Sequence, residues 1–350
     1  MSNEISWYTL DDDNNIDHLT NIRQIKANKA LQYCRTRGFP FYEYSKDEKI
    51  VELNKIKKSK FKSAIQDGEI LQLMHGMGLA WSYFPHHWEV PIGKQKTPFD
   101  VFYNDDLLTK SLVSRLRRGG DNNITEIGYI TDSQIRKAIR TASGTQSVSN
   151  FRPVAAASLY YTYANNGVVW DMSCGFGGRL IGAVASGSVK KYIGTDPSTK
   201  TFDGLLKIKE EFSYVPIEIE LHKCGSETFI PNCIVDLCFT SPPYFNTEQY
   251  STEETQSYVK FTTPEEWNEG FLRKSIQNCK ACLSESGYMI LNVANVKSHK
   301  TLEPDTIRIA QEEGFYLKET LKLRLSSVTK GGYKFEPVFV FCLESGYSTS

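Results

Sequence analysis

GVVWDMSCGFGG, residues 167–178, is an apolar run that ends in a glycine-rich turn. The β-branched residues and the tryptophan of the run favour a buried strand. The glycines let the backbone turn sharply and approach a ligand closely. Because the next residues, from Gly178 to Ser186, are typical of a helix, the stretch predicts the strand, turn and helix with which a nucleotide-binding βαβ unit begins.

Strand-like runs and helical stretches alternate along the chain after residue 145. The predicted strands are 167–173, 191–195, 217–221, 234–240 and 288–294, and the predicted helices are 178–186, 201–212, 264–283 and 305–313. Such alternation is typical of a mostly parallel sheet with helices on both faces. Two further runs, Tyr316 to Leu325 and Phe335 to Leu343, flank Gly331-Gly332 and predict a closing antiparallel hairpin. We therefore expect a Rossmann-like α/β domain over residues 145–345.

Residues 1–144 have a different pattern, which predicts a second, mainly helical domain. Apolar residues at spacings of three and four predict helices from Ile22 to Tyr33 and from Ile65 to Leu79. Two more helices are expected from Leu107 to Leu116 and from Asp132 to Arg140. Residues 21–150 contain 21 Lys and Arg against 13 Asp and Glu. This basic excess suits binding to phosphates, and solvated helix faces explain it equally well.

Composition and cysteine usage exclude several classes of protein. Hydrophobic residues make up 40% of the chain and charged residues 23%, which is typical of globular domains. No apolar run approaches the ~18 residues of a membrane span, and the polar, acidic N-terminus has no signal-peptide pattern. We expect a soluble protein in the cytoplasm of a bacterium or a phage-infected cell. The single CxxC of Cys279 and Cys282 lacks companion ligands at zinc spacing, so we expect no metal centre.

Two acidic residues are expected beside the glycine turn, at the carboxyl ends of the strands. Asp196 follows the second strand, 21 positions after Gly175, and an acid at that distance accepts hydrogen bonds from ribose hydroxyls. Glu227, after the third strand, is a candidate for binding an adenine amino group, although a loop glutamate is often simply solvated. These features alone fit a dinucleotide-dependent oxidoreductase nearly as well as a methyltransferase.

The fourth strand leads directly into Thr240-Ser-Pro-Pro-Tyr244. Two consecutive prolines lack N–H groups and have a nearly fixed φ, so the loop is stiff and its carbonyl oxygens are free to accept hydrogen bonds. Ser241 and the carbonyl of Pro242 would accept both hydrogens of an exocyclic amino group and expose its lone pair for attack on a sulfonium methyl. Tyr244 would stack on a base taken out of its helix. A Pro-Pro turn packed by a tyrosine is the structural alternative.

On these residues the chain resembles the DNA amino-methyltransferases, which modify adenine N6 or cytosine N4. Their cofactor motif is represented by Asp171 to Gly177, and their catalytic motif by Ser241 to Tyr244. Asn150-Phe-Arg-Pro153 looks like their additional cofactor segment, and the closing FEPVFVF of residues 335–341 is similar to their last strand. The resemblance covers about residues 145–345. It implies a seven-stranded methyltransferase fold with a reversed last hairpin.

The resemblance also implies S-adenosylmethionine as cofactor, DNA as partner and a set of site residues. The implied catalytic residues are Ser241, Pro242, Pro243 and Tyr244. The implied cofactor-binding residues are Phe151, Arg152, Asp171, Ser173, Cys174, Gly175, Phe176, Gly177, Asp196, Pro197 and Glu227. Serine at the first catalytic position looks more like the cytosine-N4 group, since adenine enzymes usually carry Asp or Asn there. The motif order assigns target recognition to residues 1–144, helped by the loops 245–261 and 326–334.

Three other interpretations stay open at this point. An RNA or a protein glutamine would suit the same loop as methyl acceptor, although asparagine in place of Ser241 would favour it more. A non-catalytic cofactor-binding or DNA-binding subunit is a second interpretation, against which the intact motifs argue. A nicotinamide oxidoreductase, the third, lacks a recognisable catalytic Tyr-Lys or His-Arg arrangement. Methylation of cytosine C5 is excluded, because it needs a thiolate after a proline and the chain has no Pro-Cys.

Overall fold

The computed structural model describes residues 15–119, 131–327 and 332–344, with side chains for residues 20–117, 131–325 and 332–344. The chain divides into two compact units. The first is Met1–Phe41 with Lys94–Ser147, and the second is Tyr42–Gly93 with Val148–Ser350. The predicted division at residue 144 differs from these units in two respects. Residues 42–93 group with the sheet, and residues 145–147 group with the N-terminal helices.

Within the described residues, the α-helices of both units are α1 (Asn15–Arg37), α2 (Lys46–Lys58), α3 (Met77–Ser82), α4 (Pro98–Tyr103), α5 (Asp105–Gly119), α6 (Asp132–Arg140), α7 (Pro153–Tyr163), α8 (Gly178–Ser186), α9 (Thr199–Glu211), α10 (Ser257–Lys260), α11 (Pro264–Trp267), α12 (Lys274–Cys282) and α13 (Leu302–Glu312). A π-helical segment, Asn268–Arg273, joins α11 to α12. The strands are β1 (Ile65–Gln66), β2 (Glu69–Ile70), β3 (Gly167–Asp171), β4 (Val189–Thr195), β5 (Glu218–His222), β6 (Val235–Thr240), β7 (Leu283–Asn292), β8 (Phe315–Ser327) and β9 (Tyr333–Leu343). All of the strands belong to the second unit.

The nine strands found in the described parts of the chain form one sheet in the order β1-β2-β8-β9-β7-β6-β3-β4-β5. Strands β3 to β7 pair in parallel, whereas β9 runs antiparallel to both β7 and β8. This confirms the predicted Rossmann-like methyltransferase fold with seven principal strands and an antiparallel C-terminal hairpin. The short hairpin of β1 and β2 adds two strands beyond β8.

Two hydrophobic clusters form the core of this unit, and neighbouring residues of one strand belong to different clusters. Val169 of β3 and Phe239 of β6 lie in the cluster that contains α7 and α8, whereas Trp170 and Cys238 lie in the cluster that contains α12 and α13. Successive side chains of a strand point to opposite faces. Helices therefore cover both faces of the sheet, as expected for alternating strands and helices.

The first unit is helical in its described part. Its predicted helices at 22–33, 107–116 and 132–140 correspond to α1, α5 and α6. The side chain of Thr131 caps α6 by accepting the N–H of Gln134. Arg35 and Arg37 of α1 form ion pairs of 2.7 and 3.0 Å with Asp105 and Asp132, the first residues of α5 and α6.

The helix predicted from Ile65 to Leu79 is wrong. Residues 65–70 form the β1–β2 hairpin, and α3 begins only at Met77. Asp67 and Gly68 join the two strands with φ values of 50° and 76°, the left-handed backbone that two-residue hairpin turns require. Helical apolar spacing was outweighed here by a distant partner, because β2 pairs with β8.

Candidate active site

A cleft within the second unit lies at the carboxyl ends of β3, β4 and β6. It encloses about 600 Å³, its open mouth included. The glycine turn, the turns after β4 and β5, the loop after β6 and helix α10 all contribute to its lining. Of the predicted site residues, the cleft brings together Ser173, Gly175, Phe176, Asp196, Pro197, Glu227, Ser241 and Pro243. The other predicted residues, Phe151, Arg152, Asp171, Cys174, Gly177, Pro242 and Tyr244, are not among its lining residues.

The glycine turn is held in place by backbone geometry that only glycine adopts easily. Gly175 and Gly177 have φ values of 54° and 66°, and Gly177 is the N-cap of α8. The N–H of Gly175 donates to Asp196 Oδ2 at 2.9 Å, which joins the turns after β3 and β4. Cys174, directly before Gly175, is buried, and burial raises the pKa of its thiol, so it serves as a packing residue.

Replacing Gly177 with alanine is expected to lower the free energy of unfolding by about 2–3 kcal/mol, because alanine disfavours this φ and because its Cβ would collide with neighbours. That atom would lie 2.6 Å from Ile208 Cδ1 and 2.9 Å from Phe84 Cε2. Gly187 at the other end of α8 is a matched control. Its φ is 64°, but a Cβ there would meet no atom within 4 Å, so Gly187→Ala should cost only about 1 kcal/mol. If urea unfolding shows that Gly177→Ala and Gly187→Ala lose equal unfolding free energy, the collision of the Cβ with its neighbours does not explain the effect.

A buried ion pair lies among the same elements. Asp171 Oδ2 is 2.9 Å from Arg179 Nε, and the hydroxyl of Tyr192 donates to the same oxygen at 2.6 Å. Arg179 also donates to the carbonyl of Ser173 in the turn. Burial opposes the charge of Arg179, but Asp171 outweighs burial and raises the pKa of the guanidinium. Asp171 therefore stabilises the turn through Arg179, which contacts both the Asp171 carboxylate and the Ser173 carbonyl.

Asp196 lines the cleft and is almost fully buried. Its Oδ2 accepts the N–H of Gly175, and its Oδ1 accepts the N–H of Ser198 at 3.0 Å. Burial raises the pKa of Asp196 to about 7, although the two backbone donors act in the opposite direction. The carboxyl thus titrates near neutral pH, and its ionisation is sensitive to any ligand that donates to it.

Residues 253–260, here called the strap, contribute Thr255, Gln256 and Ser257 to the lining of the cleft. They belong to the loop 245–261, which the sequence assigned to target recognition. Glu253 accepts the N–H of Thr199, the first residue of α9, at 3.2 and 3.1 Å. The hydroxyl of Thr255 donates to the carbonyl of Pro197 at 3.2 Å. Lys260 Nζ lies 2.5 Å from Glu227 Oε1. The strap is thereby tied to the turns after β4 and β5.

Three polar atoms of cleft residues are buried without a hydrogen-bond partner among the residues described. They are Ser198 Oγ, Glu227 Oε2 and Gln256 Nε2. Buried polar groups in proteins are nearly always paired. Because their residues line an open cleft, these orphan atoms are candidates for pairing with a ligand that has hydrogen-bond donors and acceptors.

The loop after β6 brings Ser241 and Pro243 to the cleft, whereas Pro242 is buried. Tyr244 is half-buried against the cluster that contains Trp170, and its hydroxyl donates to the carbonyl of Asn292 at 3.2 Å. Burial raises the pKa of this phenol. One side of the ring is thus engaged in packing, which leaves only its accessible part for contact with a ligand.

The residues after Tyr244 continue the wall of the site. Glu248 accepts the N–H of Ser149 at 3.2 Å and the hydroxyl of Tyr250, a residue of the cleft lining. Burial raises the pKa of Glu248 to about 7. Glu248 itself does not line the cleft, so a second carboxyl that titrates near neutral pH lies outside it.

Phe151 and Arg152, predicted to contact a cofactor, have other partners in the structure. The ring of Phe151 packs edge-on against Phe239, with centroids 5.2 Å apart. Arg152 donates to the carbonyl of Arg324 in β8 at 2.5 Å, and burial lowers its pKa to about 10. Both residues connect the segment before α7 to the sheet.

Over the described ranges, no three His, Cys, Asp or Glu side chains are grouped so that they could hold a metal ion. Cys279 and Cys282, the residues of the CxxC, are buried in the hydrophobic core. Nor does the described part of the chain contain a helix with the length and apolar character needed to cross a membrane.

No family model matches the chain, and no curated protein matches it. Solved structures with a similar fold include a methyltransferase from Pyrococcus furiosus, with 14% identity over 54% of this chain and 82% of that chain and a TM-score of 0.39. The N-methyltransferase NodS from Bradyrhizobium japonicum WM9 is 11% identical over 55% and 93% of the two chains, with a TM-score of 0.40. An S-adenosylmethionine-dependent methyltransferase from Clostridium acetobutylicum ATCC 824 is 12% identical over 50% and 83%, with a TM-score of 0.35. Similarities this low carry no weight for function.

Proposed function

We propose that this protein is an S-adenosylmethionine-dependent methyltransferase that acts on an exocyclic amino group of a DNA base, with cytosine N4 slightly favoured over adenine N6. One observation carries the proposal. Ser241 and Pro243 of the SPPY loop line the same cleft as the glycine turn and Asp196. A cofactor-binding motif and an amino-group motif therefore meet at the carboxyl ends of parallel strands, where such sheets bind their ligands.

The cleft residues fit the proposed cofactor. Asp196 is an acceptor for ribose hydroxyls, and the orphan Oε2 of Glu227 is an acceptor for the adenine amino group. Ser198 Oγ offers a further unpaired group in the same wall. When bound, S-adenosylmethionine supplies an electrophilic methyl group on sulfur. The glycine turn leaves room for the backbone to approach it closely.

The protein's own contribution to the reaction is to hold the attacking nitrogen. Ser241 Oγ and the carbonyl of Pro242 accept the two N–H bonds of the target amino group and orient its lone pair. The prolines keep the two acceptors at a fixed separation. The nitrogen that these two acceptors hold would form its new bond to the methyl carbon as the carbon–sulfur bond of the cofactor broke. The sulfur would keep the bonding electron pair and leave as a thioether, and the nitrogen would release one proton to solvent water. Alignment of the two reactants supplies most of the rate enhancement.

The choice of a DNA base as methyl acceptor is supported by features of the sequence. The accessible part of the Tyr244 ring stacks on the extrahelical base. Serine in the first motif position favours cytosine. The helical first unit, whose residues 21–41 and 94–147 belong to the basic segment 21–150, contacts the DNA phosphates. The predicted loop 326–334 is a candidate for further DNA contacts, and its residues 328–331 lie outside the described chain.

Methyl transfer to duplex DNA, single-stranded DNA and RNA, followed by mass spectrometry of the nucleosides, tests this function. We expect N4-methylcytosine in DNA. Methylated RNA alone would identify an RNA methyltransferase. Absence of methylation in every nucleic acid, under conditions where the cofactor binds, would reject the proposal and leave a protein glutamine acceptor or a non-catalytic subunit.

Cofactor affinity is expected to increase as the pH rises from 6 to 8. The pKa of Asp196 is raised to about 7 by burial, so the carboxylate that accepts the ribose hydroxyls becomes populated over this interval. For S-adenosylhomocysteine, titration calorimetry should show up to roughly a tenfold change in affinity attributable to this group. Asp196→Asn should abolish that component and weaken binding at pH 8. Glu248→Gln is the control, because this carboxyl has a similar pKa but lies outside the cleft lining. If Glu248→Gln abolishes the pH dependence instead, the assignment to Asp196 is wrong.

A further inference from the structure

Another groove lies at the amino ends of β3, β4 and β5, on the edge of the sheet opposite the cleft, and is here called the amino-edge groove. It encloses about 1090 Å³, its open mouth included, and shares no lining residue with the cleft. Strand β4 has seven residues, so roughly 20 Å separates the two edges. The groove therefore lies outside the site proposed for methyl transfer.

Much of the lining of the amino-edge groove is apolar. The larger apolar residues of the lining are Phe61, Val184, Val189, Val215 and Ile217. Tyr161 continues this surface beside Phe61, because the two rings pack edge-on with centroids 6.2 Å apart and Tyr161 is 46% exposed. An exposed aromatic ring beside an apolar groove is typical of protein–protein interfaces. The lining therefore favours an apolar side chain as occupant.

The charged residues of the lining are all lysines. Lys57, Lys62 and Lys190 are exposed, and the lining includes no Asp or Glu. None of the three forms an ion pair with a residue that the structure describes, whereas Lys191, the next residue of β4, pairs with two glutamates. Residues 55–62, KIKKSKFK, contain five lysines and no acidic residue. The groove thus combines uncompensated positive charge with apolar surface, and its complement is an anion that also carries apolar groups.

We propose that the amino-edge groove binds an acidic peptide segment of a partner protein, with an apolar side chain in the groove and carboxylates paired with the lysines. A nucleic acid fits less well, because its backbone offers phosphates to the lysines but no apolar side chain to the lining. Complementary charges of this kind favour association and discriminate between partners. Because the lysines are exposed, binding should weaken as the salt concentration rises.

Selection from a displayed library of random short peptides tests the chemistry of the occupant. The full chain is the bait, and the charge-reversed variant Lys57→Glu/Lys62→Glu/Lys190→Glu serves for counter-selection. We expect the enriched peptides to carry several Asp or Glu residues around an apolar residue. Absence of enrichment on the wild-type protein, or enrichment of peptides without carboxylates, would overturn the proposal.

Fluorescence anisotropy with the labelled consensus peptide then measures each contribution. The charge-reversed variant should bind the peptide at least roughly tenfold more weakly, since three ion pairs of modest strength are lost. The variant Lys207→Glu/Lys274→Glu/Lys300→Glu is the matched control, with the same change of net charge at exposed lysines outside the groove lining. It should bind within about threefold of the wild-type protein. Equal affinities of the two variants would reject the groove lysines as determinants.

Three further measurements separate the remaining possibilities. Replacing the apolar residue of the peptide with serine should weaken binding by roughly tenfold, and an unchanged affinity would reject the role of the apolar lining. Single-stranded and duplex oligonucleotides should not displace the peptide, whereas displacement would assign the groove to nucleic-acid phosphates. Saturation with peptide should change the dissociation constant of S-adenosylhomocysteine by less than about twofold, and exclusion of this ligand would place the peptide in the cleft. Thermal unfolding of each variant confirms that the affinities refer to folded protein.

Discussion

Ser241→Ala is expected to lower the turnover number for methyl transfer by roughly 100-fold, while the dissociation constant of S-adenosylhomocysteine changes less than about threefold. The hydroxyl is one of two acceptors that would hold the target amino group, and loss of one preorganised polar contact at a reacting centre typically costs two orders of magnitude. Ser241 directly follows β6, whereas the unpaired polar atoms proposed for cofactor binding belong to other residues, Ser198 and Glu227. Its removal should therefore leave cofactor binding nearly unchanged.

Ser241→Thr is the matched variant, because threonine keeps the hydroxyl and alters only the volume. We expect it to retain turnover within about tenfold of the wild type, consistent with an acceptor role. Turnover by rapid quench, with cofactor binding measured in parallel, separates the two effects. Equal activity of Ser241→Ala and the wild-type protein would remove Ser241 from the catalytic assignment. A parallel loss of cofactor affinity would instead assign it to cofactor binding.

Arg179→Met is expected to lower the free energy of unfolding by about 3–5 kcal/mol, since it leaves the buried Asp171 carboxylate without its cation. The two side chains are 4% and 0% exposed. Methionine keeps much of the arginine's length and apolar character, so the loss reports on the charge more than on a cavity. Equilibrium unfolding in urea measures it.

An exposed pair in the same unit provides the comparison. Arg308 and Glu312 lie one turn apart on α13, 2.9 Å from each other, with side chains 49% and 44% exposed. Arg308→Met should change the free energy of unfolding by about 0.5 kcal/mol or less, because solvent screens such pairs. A similar loss of unfolding free energy in both variants would show that the Asp171–Arg179 pair stabilises the protein no more than an exposed ion pair does.

The parallel part of the fold was predictable because its information is local. Apolar runs such as 234–240 must be strands when helical stretches separate them, and a glycine turn after Asp171 determines where the ligand edge lies. That reasoning also brought Ser173, Asp196 and Ser241 to a single cleft. It depended on a general property of parallel sheets, whose carboxyl ends lie on the same edge.

The strap and the β1–β2 hairpin depend on distant partners, and the sequence predicted target recognition for the loop that contains the first and a helix for the second. Gln256 lies in a polar stretch whose pattern resembles any surface loop, but the residue is buried and lines the cleft together with Pro197 and Phe271. For the hairpin, the Asp67-Gly68 dipeptide is typical of a two-residue turn, whereas the helical spacing of the apolar residues around it predicts a helix. Phe151 and Arg152 were assigned by resemblance, which does not specify side-chain direction.

The pairing of β2 with β8 has a consequence for how the chain folds. Glu69 and Arg324, which form an ion pair across this seam, are 255 residues apart in sequence. Contacts of such high sequence separation are entropically costly and form slowly. During synthesis the hairpin is made long before β8 leaves the ribosome, so β2 cannot pair with β8 until then. We therefore expect this seam to form last and, under native conditions, to exchange its amide hydrogens sooner than the central strands.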